Sequence, residues 1–217
     1  MKWTNRGHEL DAVGLQYAKI RNLYIWGAGL NGQECYNFLN WLKVDKDLEI
    51  QFVDSDEKIQ KVGCCSKKVI SPNELFSRLS CDDENSISVV VVAIVKENEE
   101  LMEMCVKKGV KHLFNNLVTS HRRTDNFIQH FICTWLLYKK GELLSHWMNY
   151  VVTTKCNLNC QGCANFTEYI SNPKDIPLMD FQNHMDIIFS KYDYLYSFHF
   201  TGGEPLLYKN FVNLSAH

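Results

Sequence analysis

No long run of like charge occurs anywhere in the 217 residues, and the formal net charge is only −2. Composition therefore offers no electrostatic footprint for nucleic acid and no polybasic arm for a membrane surface. The brief "HRR" at 121–123 reads as a solvated turn. No stretch reaches the roughly 20 consecutive apolar residues that a spanning helix needs. The most apolar helical run, "FIQHFICTWLLY", is interrupted by Gln129 and His130. The amino terminus, "MKWTNRGHELDAVG", has no continuous apolar segment ending in a small-residue cleavage site, so it reads as no secretory signal. Internal repeats and low-complexity segments are missing as well. The expectation left by these absences is a cytoplasmic chain with no nucleic-acid and no membrane partner.

Cysteine, by contrast, is plentiful: there are nine. In a reducing compartment they argue against a disulfide framework and make close spacing a sign of metal. Cys35, Cys105 and Cys133 fall within helical patterns and read as small core residues. Cys64 and Cys65 are adjacent and read as bystanders. The eight histidines show no metal-ligand spacing; His199, in a strand of aromatic neighbours, reads as a hydrogen-bonded core residue.

The first half alternates short apolar runs with amphipathic stretches, the pattern of a parallel sheet covered by helices. "NLYIW" and "LEIQFVD" read as strands with the helix "NGQECYNFLNWLK" between them. "ISPNELFSRL" opens with Ser71 as N-cap, Pro72 at the first helical position and Glu74 three residues past the cap, which is a capping box. "ISVVVVAI" is β-branched and unbroken, as a central strand buried on both faces must be. "ENEELMEMCVKK" closes at Gly109 before the strand "VKHLF". Residues 1–19 are an amino-terminal segment, 20–116 the α/β domain and 117–146 a connector with a helix over 124–140. In 147–217 the strand "NYVVTT", the helix "DFQNHMDIIFSKY" and the strand "YLYSFHF" follow in turn.

At the junction of the first strand and first helix, "GAGLNG" places Gly27, Gly29 and Gly32 in G-x-G-x-x-G spacing. Gly27 allows a tight turn, Gly29 allows a pyrophosphate to approach the backbone, and Gly32 allows helix and strand to pack closely. Asp54 ends the second strand, where a carboxylate can accept hydrogen bonds from a ribose. The alternative is a tight crossover whose nucleotide site is empty or vestigial. The domain resembles the Rossmann-like modules, with a "GAG" first turn and a "VISPNEL"-type element, that are fused to sugar-modifying enzymes.

Cys156, Cys160 and Cys163 form C-x3-C-x2-C in "KCNLNCQGCANF". Three thiolates on one loop can hold three irons of a 4Fe-4S cluster and leave the fourth iron open. A closed zinc site needs a fourth protein donor, and no Cys-x2-Cys or His-x3-His partner follows. "TGGEP" ends the next strand, and in a parallel β/α barrel both loops lie at the C-terminal face. Gly202 and Gly203 let backbone carbonyls approach a ligand, and Glu204 adds a carboxylate able to pair with an ammonium.

This combination resembles the radical S-adenosylmethionine enzymes, whose three-cysteine loop and Gly-Gly-Glu motif occur in this order on a partial (β/α)6 barrel. The resemblance implies that Cys156, Cys160 and Cys163 ligate a 4Fe-4S cluster and that Gly202, Gly203 and Glu204 hold the methionine amino group of S-adenosylmethionine. It implies reductive cleavage of that cofactor to a 5′-deoxyadenosyl radical, which abstracts hydrogen from a substrate. It further implies an electron donor such as flavodoxin or ferredoxin, with peptide or carbohydrate as substrate class. Where many members carry an aromatic residue before the third cysteine, this chain has Gly162.

The expected architecture is thus α/β: an N-terminal Rossmann-like doubly wound parallel sheet, followed by the first two β/α units of a partial (β/α)6 barrel. With only two such units the chain reads as a truncated product, poorly active alone. Two alternatives stay open: a nucleotide or sugar-nucleotide binding module with a vestigial cysteine loop, and a zinc-stabilised interaction protein.

Overall fold

The computed structural model describes residues 17–83, 86–94, 99–115, 118–119, 122–123, 127–158 and 160–214. The readings made on 1–16, on His121 and on the last three residues lie outside these. The chain divides into two compact units, Met1–Lys140 and Gly141–His217. Of the stretch expected as a connector, Phe127–Lys140 belongs to the first unit and the residues from Gly141 to the second.

In the first unit β1 (Ile20–Trp26), β2 (Glu49–Val53), β3 (Val69–Ile70), β4 (Ile87–Val92) and β5 (Leu113–Asn115) form one sheet in the order β3-β2-β1-β4-β5. Every pairing in it is parallel. Helices α1 (Leu30–Trp41), α2 (Glu57–Val62), α3 (Pro72–Leu79) and α4 (Glu99–Lys107) supply the crossovers. Because parallel crossovers are right-handed, the reversal of strand order between β3 and β4 sends later helices to the opposite face. The core shows this. Tyr24, Trp26, Val90 and Val92 pack with Leu75 of α3 and with Met102 and Cys105 of α4. On the other face, Phe52 meets Tyr36 of α1 with ring centroids 5.7 Å apart. Val89 to Val92 are all buried, as expected of a central strand covered on both sides. The fold is that of a Rossmann-like parallel α/β sheet.

Local chemistry accounts for the element ends. Ser71 Oγ accepts from the Glu74 amide at 3.2 Å, with Pro72 at the first helical position. Only half of the expected capping box forms, because Glu74 turns its carboxylate to Arg78 at 2.8 Å and Lys68 at 3.2 Å. Gly109, at φ +86°, ends α4 in the left-handed region, and the Val110 amide bonds back to the Cys105 carbonyl at 3.0 Å. Within the expected 124–140 helix, Phe127–Ile132 is a π-helix that continues as α5 (Cys133–Lys140). The wider turn lets Phe127 and Phe131 stack at 5.5 Å, with Phe131 5.3 Å from Phe114 of β5.

In the second unit β6 (Leu144–Ser145) and β7 (Met148–Thr153) run parallel to β8 (Tyr194–Leu195) and β9 (Phe198–Gly202) respectively. Helix α6 (Leu178–Phe189) makes the crossover, giving a β-α-β unit. Its core gathers Val152, Phe181, Tyr208 and Leu214, with Phe198 and Phe200 against them. His199 is a correction to the core reading. Side chains alternate across a strand, so with both phenylalanines inward His199 points outward, exposed. There it stacks on Trp147 at 4.1 Å and bonds Ser197 at 2.6 Å.

Candidate functional site

The glycine loop lies at the carboxyl end of β1, where β1 pairs with β2 on one side and β4 on the other. That is the switch point at which open α/β sheets form their ligand crevice. Gly27 is held at φ +108° and donates to the Val53 carbonyl at 2.8 Å. A Cβ there would sit 2.9 Å from the Ala93 carbonyl oxygen. A Cβ on Gly32 would overlap the Gly27 carbonyl oxygen, so this glycine is required by packing. Gly29 differs: it is the N-cap of α1, at an ordinary φ of −75°, and a Cβ added there would meet no atom within 4 Å. Space is thus open where α1 presents its first amides, with no acidic side chain in the first turn.

Asp54 already has work in the loop. Its Oδ2 accepts from the Ala28 amide at 3.0 Å and its Oδ1 from the Asp56 amide at 3.0 Å. It therefore ties the end of β2 to the glycine loop, with lone pairs left on each oxygen for a further donor.

In the second unit the cysteine loop leaves β7 and the Gly-Gly-Glu leaves β9 at the same end of the parallel pair. The loops are clasped by backbone. The Gly203 amide donates to the Thr153 carbonyl at 2.9 Å and the Glu204 amide to the Lys155 carbonyl at 2.8 Å. A Cβ on Gly202 would overlap the Thr153 carbonyl oxygen. One on Gly203 would overlap the Lys155 carbonyl oxygen and lie 3.1 Å from Cys156 Cβ. The Asn165 side chain, just past the third cysteine, donates to the Gly202 carbonyl. Glu204 Oε1 caps the 3-10 turn Pro205–Leu207 by accepting from the Leu206 amide at 3.1 Å.

Cys156, Cys160 and Cys163 share this loop, but no group of three or more His, Cys, Asp or Glu gathers at metal-holding distance among the described residues. Cys156 Sγ is engaged with the Leu158 backbone, accepting from its amide at 3.4 Å, and Cys160 is exposed. Cys163 is held by hydrogen bonds that favour its ionised form. The Thr167 amide, then the Thr167 hydroxyl 3.5 Å away and the Asn165 amide, pull its thiol below the ordinary range. Gly162, at φ +71° with open space around it, makes the turn before this cysteine. Phe166, at φ +52°, is exposed.

Four residues outside the sequence motifs also build this site: Lys155, Asp175, Asn165 and Thr167. Lys155 Nζ pairs with Asp175 Oδ2 at 2.7 Å, and Thr153 Oγ1 donates to Asp175 Oδ1 at 2.7 Å. Lys155 and then Thr153 hold the Asp175 carboxyl below its usual range. The pair ties the start of the cysteine loop to the segment before α6. Only Asn165 and Thr167 carried a signal, as polar residues two and four positions past the third cysteine, where local side-chain bonds form.

One consequence is measurable in the metal-free protein. Iodoacetamide should modify Cys163 at a pH lower than an ordinary thiol requires, because only the thiolate reacts. Thr167→Val removes the hydroxyl and should move the pH–rate profile of that residue upward, as read by mass mapping of the alkylated peptide. An unchanged profile would mean that the hydroxyl does not tune the thiol.

No protein-family model matches the sequence, and no curated protein matches it. Among solved structures, the crystal structure of RSP, a Rex-family repressor, is similar over 55% of this chain and 55% of that chain, at 21% identity and a TM-score of 0.38. The complex of RSP with β-NADH aligns over 55% of this chain and 57% of that one at 19% identity and a TM-score of 0.37. The complex of RSP with β-NAD+ and operator DNA aligns over 55% and 54%, at 18% identity and a TM-score of 0.37. The match spans little more than half of each of those chains.

Proposed function

We propose that the second unit is a radical S-adenosylmethionine site, with Cys156, Cys160 and Cys163 holding a 4Fe-4S cluster and Gly202, Gly203 and Glu204 receiving the cofactor. The observation that carries this reading is the backbone clasp between the two loops, Glu204 amide to Lys155 carbonyl at 2.8 Å. It sets Gly-Gly-Glu directly beside the first of the three cysteines. The donor set fits the group: three thiols on one loop suit an iron–sulfur cluster with one open iron, and Cys163 is already biased toward the thiolate. When bound, the cluster supplies the electron for reductive cleavage of the sulfonium. The chain's own residues bind, orient and exclude. Glu204 Oε1 is committed to the Leu206 amide, which fixes the carboxylate and leaves Oε2 for the ammonium of the cofactor. Gly203 keeps side-chain bulk out of the space between the loops.

Anaerobic reconstitution tests it. The protein should take up iron and acid-labile sulfide in equal amounts with the absorbance of a cluster, and the Cys156→Ala, Cys160→Ala and Cys163→Ala variants should each retain less than about a tenth of the iron, since all three thiolates are required. Stoichiometric zinc without sulfide would replace this reading with a structural zinc site.

A second reading concerns the first unit, where the open space above Gly29 at the switch point favours a nucleotide with its phosphate against the α1 amides. Asp54 would accept from a ribose hydroxyl while keeping its bonds to the loop. Calorimetry with adenine and uridine nucleotides tests this unit separately from the cluster.

A further inference from the structure

Beneath the glycine loop, Cys64 and Lys67 exchange both backbone bonds across a tight turn, Cys64 amide to Lys67 carbonyl at 3.0 Å and Lys67 amide to Cys64 carbonyl at 2.8 Å. The two residues at its tip, Cys65 and Ser66, have φ +49° and +59°. Such a turn normally carries Asn-Gly, because both tip positions are left-handed. Here it carries a thiol and a hydroxyl residue instead, in a conformation unfavourable for both. The result of that backbone is a convergence of thiols: Cys65 Sγ lies 3.9 Å from Cys64 Sγ. Cys65 is half-buried and reachable, whereas Cys64 is buried. Cys64 Sγ in turn donates to the Ala28 carbonyl at 3.5 Å, and Ala28 is the residue between the first two loop glycines. Burial, with Cys65 and Asp54 nearby, pushes the Cys64 thiol up to about 11, so at neutral pH the donating hydrogen is in place.

We propose that Cys64 and Cys65 are a reversible modification site for small disulfide oxidants, and that its oxidation releases the glycine loop. The Cys65 thiolate attacks a low-molecular-weight disulfide, forming a mixed disulfide and expelling one small thiolate. Cys64, losing its proton, attacks the Cys65 sulfur and expels the second. Two protein S–H bonds become one S–S bond, and the two electrons and two protons leave on two small thiols. Closing the bond requires the sulfurs to approach from 3.9 Å to about 2.05 Å, which side-chain rotation on adjacent residues can begin. The eight-membered ring so formed is constrained, and constrained disulfides are the labile, regulatory kind. Once Cys64 carries no hydrogen, the Ala28 carbonyl loses that donor. The Gln33 side-chain amide, donating at 3.3 Å, remains its partner.

The test uses the full chain and glutathione disulfide, followed by iodoacetamide, trypsin and mass mapping of the peptide 62–67, "VGCCSK". In the unmodified chain the peptide should be unalkylated and two hydrogens lighter, and dithiothreitol should reverse this. Cys64→Ser should trap a persistent glutathione adduct on Cys65, and Cys65→Ser should leave Cys64 without adduct. Serine at 64 can still donate to the Ala28 carbonyl, and circular dichroism verifies that each variant is folded. A stable glutathione adduct in the unmodified chain, or a peptide alkylated on both cysteines, overturns the site. Amides of residues 28–33 should exchange with deuterium roughly tenfold faster in the oxidised chain, as expected of a locally loosened segment. Unchanged exchange there overturns the link to the loop. Neither readout involves a nucleotide, so failure of the nucleotide reading stays distinguishable.

Discussion

Gly32→Ala is expected to destabilise the first unit by about 3 kcal/mol, whereas Gly29→Ala should cost less than about 1 kcal/mol. Both substitutions add one methyl group to the same loop. What separates them is where the methyl goes. At position 32 it would overlap the Gly27 carbonyl oxygen, a backbone atom with no freedom to rotate away. Gly27 itself cannot retreat, because it is held at φ +108° with its amide on the Val53 carbonyl at 2.8 Å and Ala93 behind it. Helix α1 would have to lift from β1, opening the contact over Ile25. At position 29 no atom lies within 4 Å and φ is −75°, so an alanine fits without strain. Urea unfolding, read by circular dichroism and by exchange of the β1 and β4 amides, measures the contrast. Equal costs would mean that α1 can slide over β1. The same contrast addresses the nucleotide reading: Gly29→Val should weaken nucleotide binding about tenfold or more, equivalent to about 1.4 kcal/mol, with the fold intact.

Four strands of the parallel sheet are legible because they carry their burial in their composition, whereas the two-residue β3 is too short to show a pattern. "ISVVVV" has no alternation to hide, and Ser71-Pro72 announces α3 by cap chemistry alone. The glycine spacing pointed to the turn and to Gly32 as the close-packing position, but it could not give the size of the contact that separates Gly32 from Gly29. Helix α2 was not read: "EKIQKV" has six residues and no apolar stripe, and its one signal was Asp56, whose carboxylate caps Lys58 at 2.8 Å. The π-helix at Phe127–Ile132 escaped because six residues cannot distinguish its period from that of an α-helix. His199 was misread although the rule that places it was available: Phe198 and Phe200 flank it in a strand, so whichever face they take, it takes the other. Lys155 and Asp175 lie 20 residues apart in sequence, and nothing in either neighbourhood marks the partner. Only the pairing of β7 with β9 and the return of the chain before α6 bring them together.

At the second site Gly203→Ala is expected to lower S-adenosylmethionine binding about a hundredfold, equivalent to about 2.7 kcal/mol, while the reconstituted protein keeps most of its iron. The three cysteines sit on their own loop, so the proposed cluster would not depend on position 203 directly. The clasp does. An alanine Cβ would overlap the Lys155 carbonyl oxygen and press within 3.1 Å of Cys156 Cβ, which forces the Gly-Gly-Glu segment away from the cysteine loop. The Glu204 amide then loses the Lys155 carbonyl, and the Glu204 carboxylate moves with it. Glu204→Gln separates charge from position. A glutamine oxygen can still accept from the Leu206 amide and hold the turn, but it offers an ammonium no charge, so a loss of about tenfold is expected, in line with about 1.5 kcal/mol for a charge-assisted hydrogen bond. Equilibrium dialysis with the reconstituted protein reads both variants, with iron content as the internal control. If Gly203→Ala binds as the unmodified chain does, the junction of the two loops is not where the cofactor sits. If it loses iron and cofactor in proportion, the clasp holds the cysteine loop itself, and Glu204→Gln, which leaves the clasp untouched, then decides whether the carboxylate meets the cofactor.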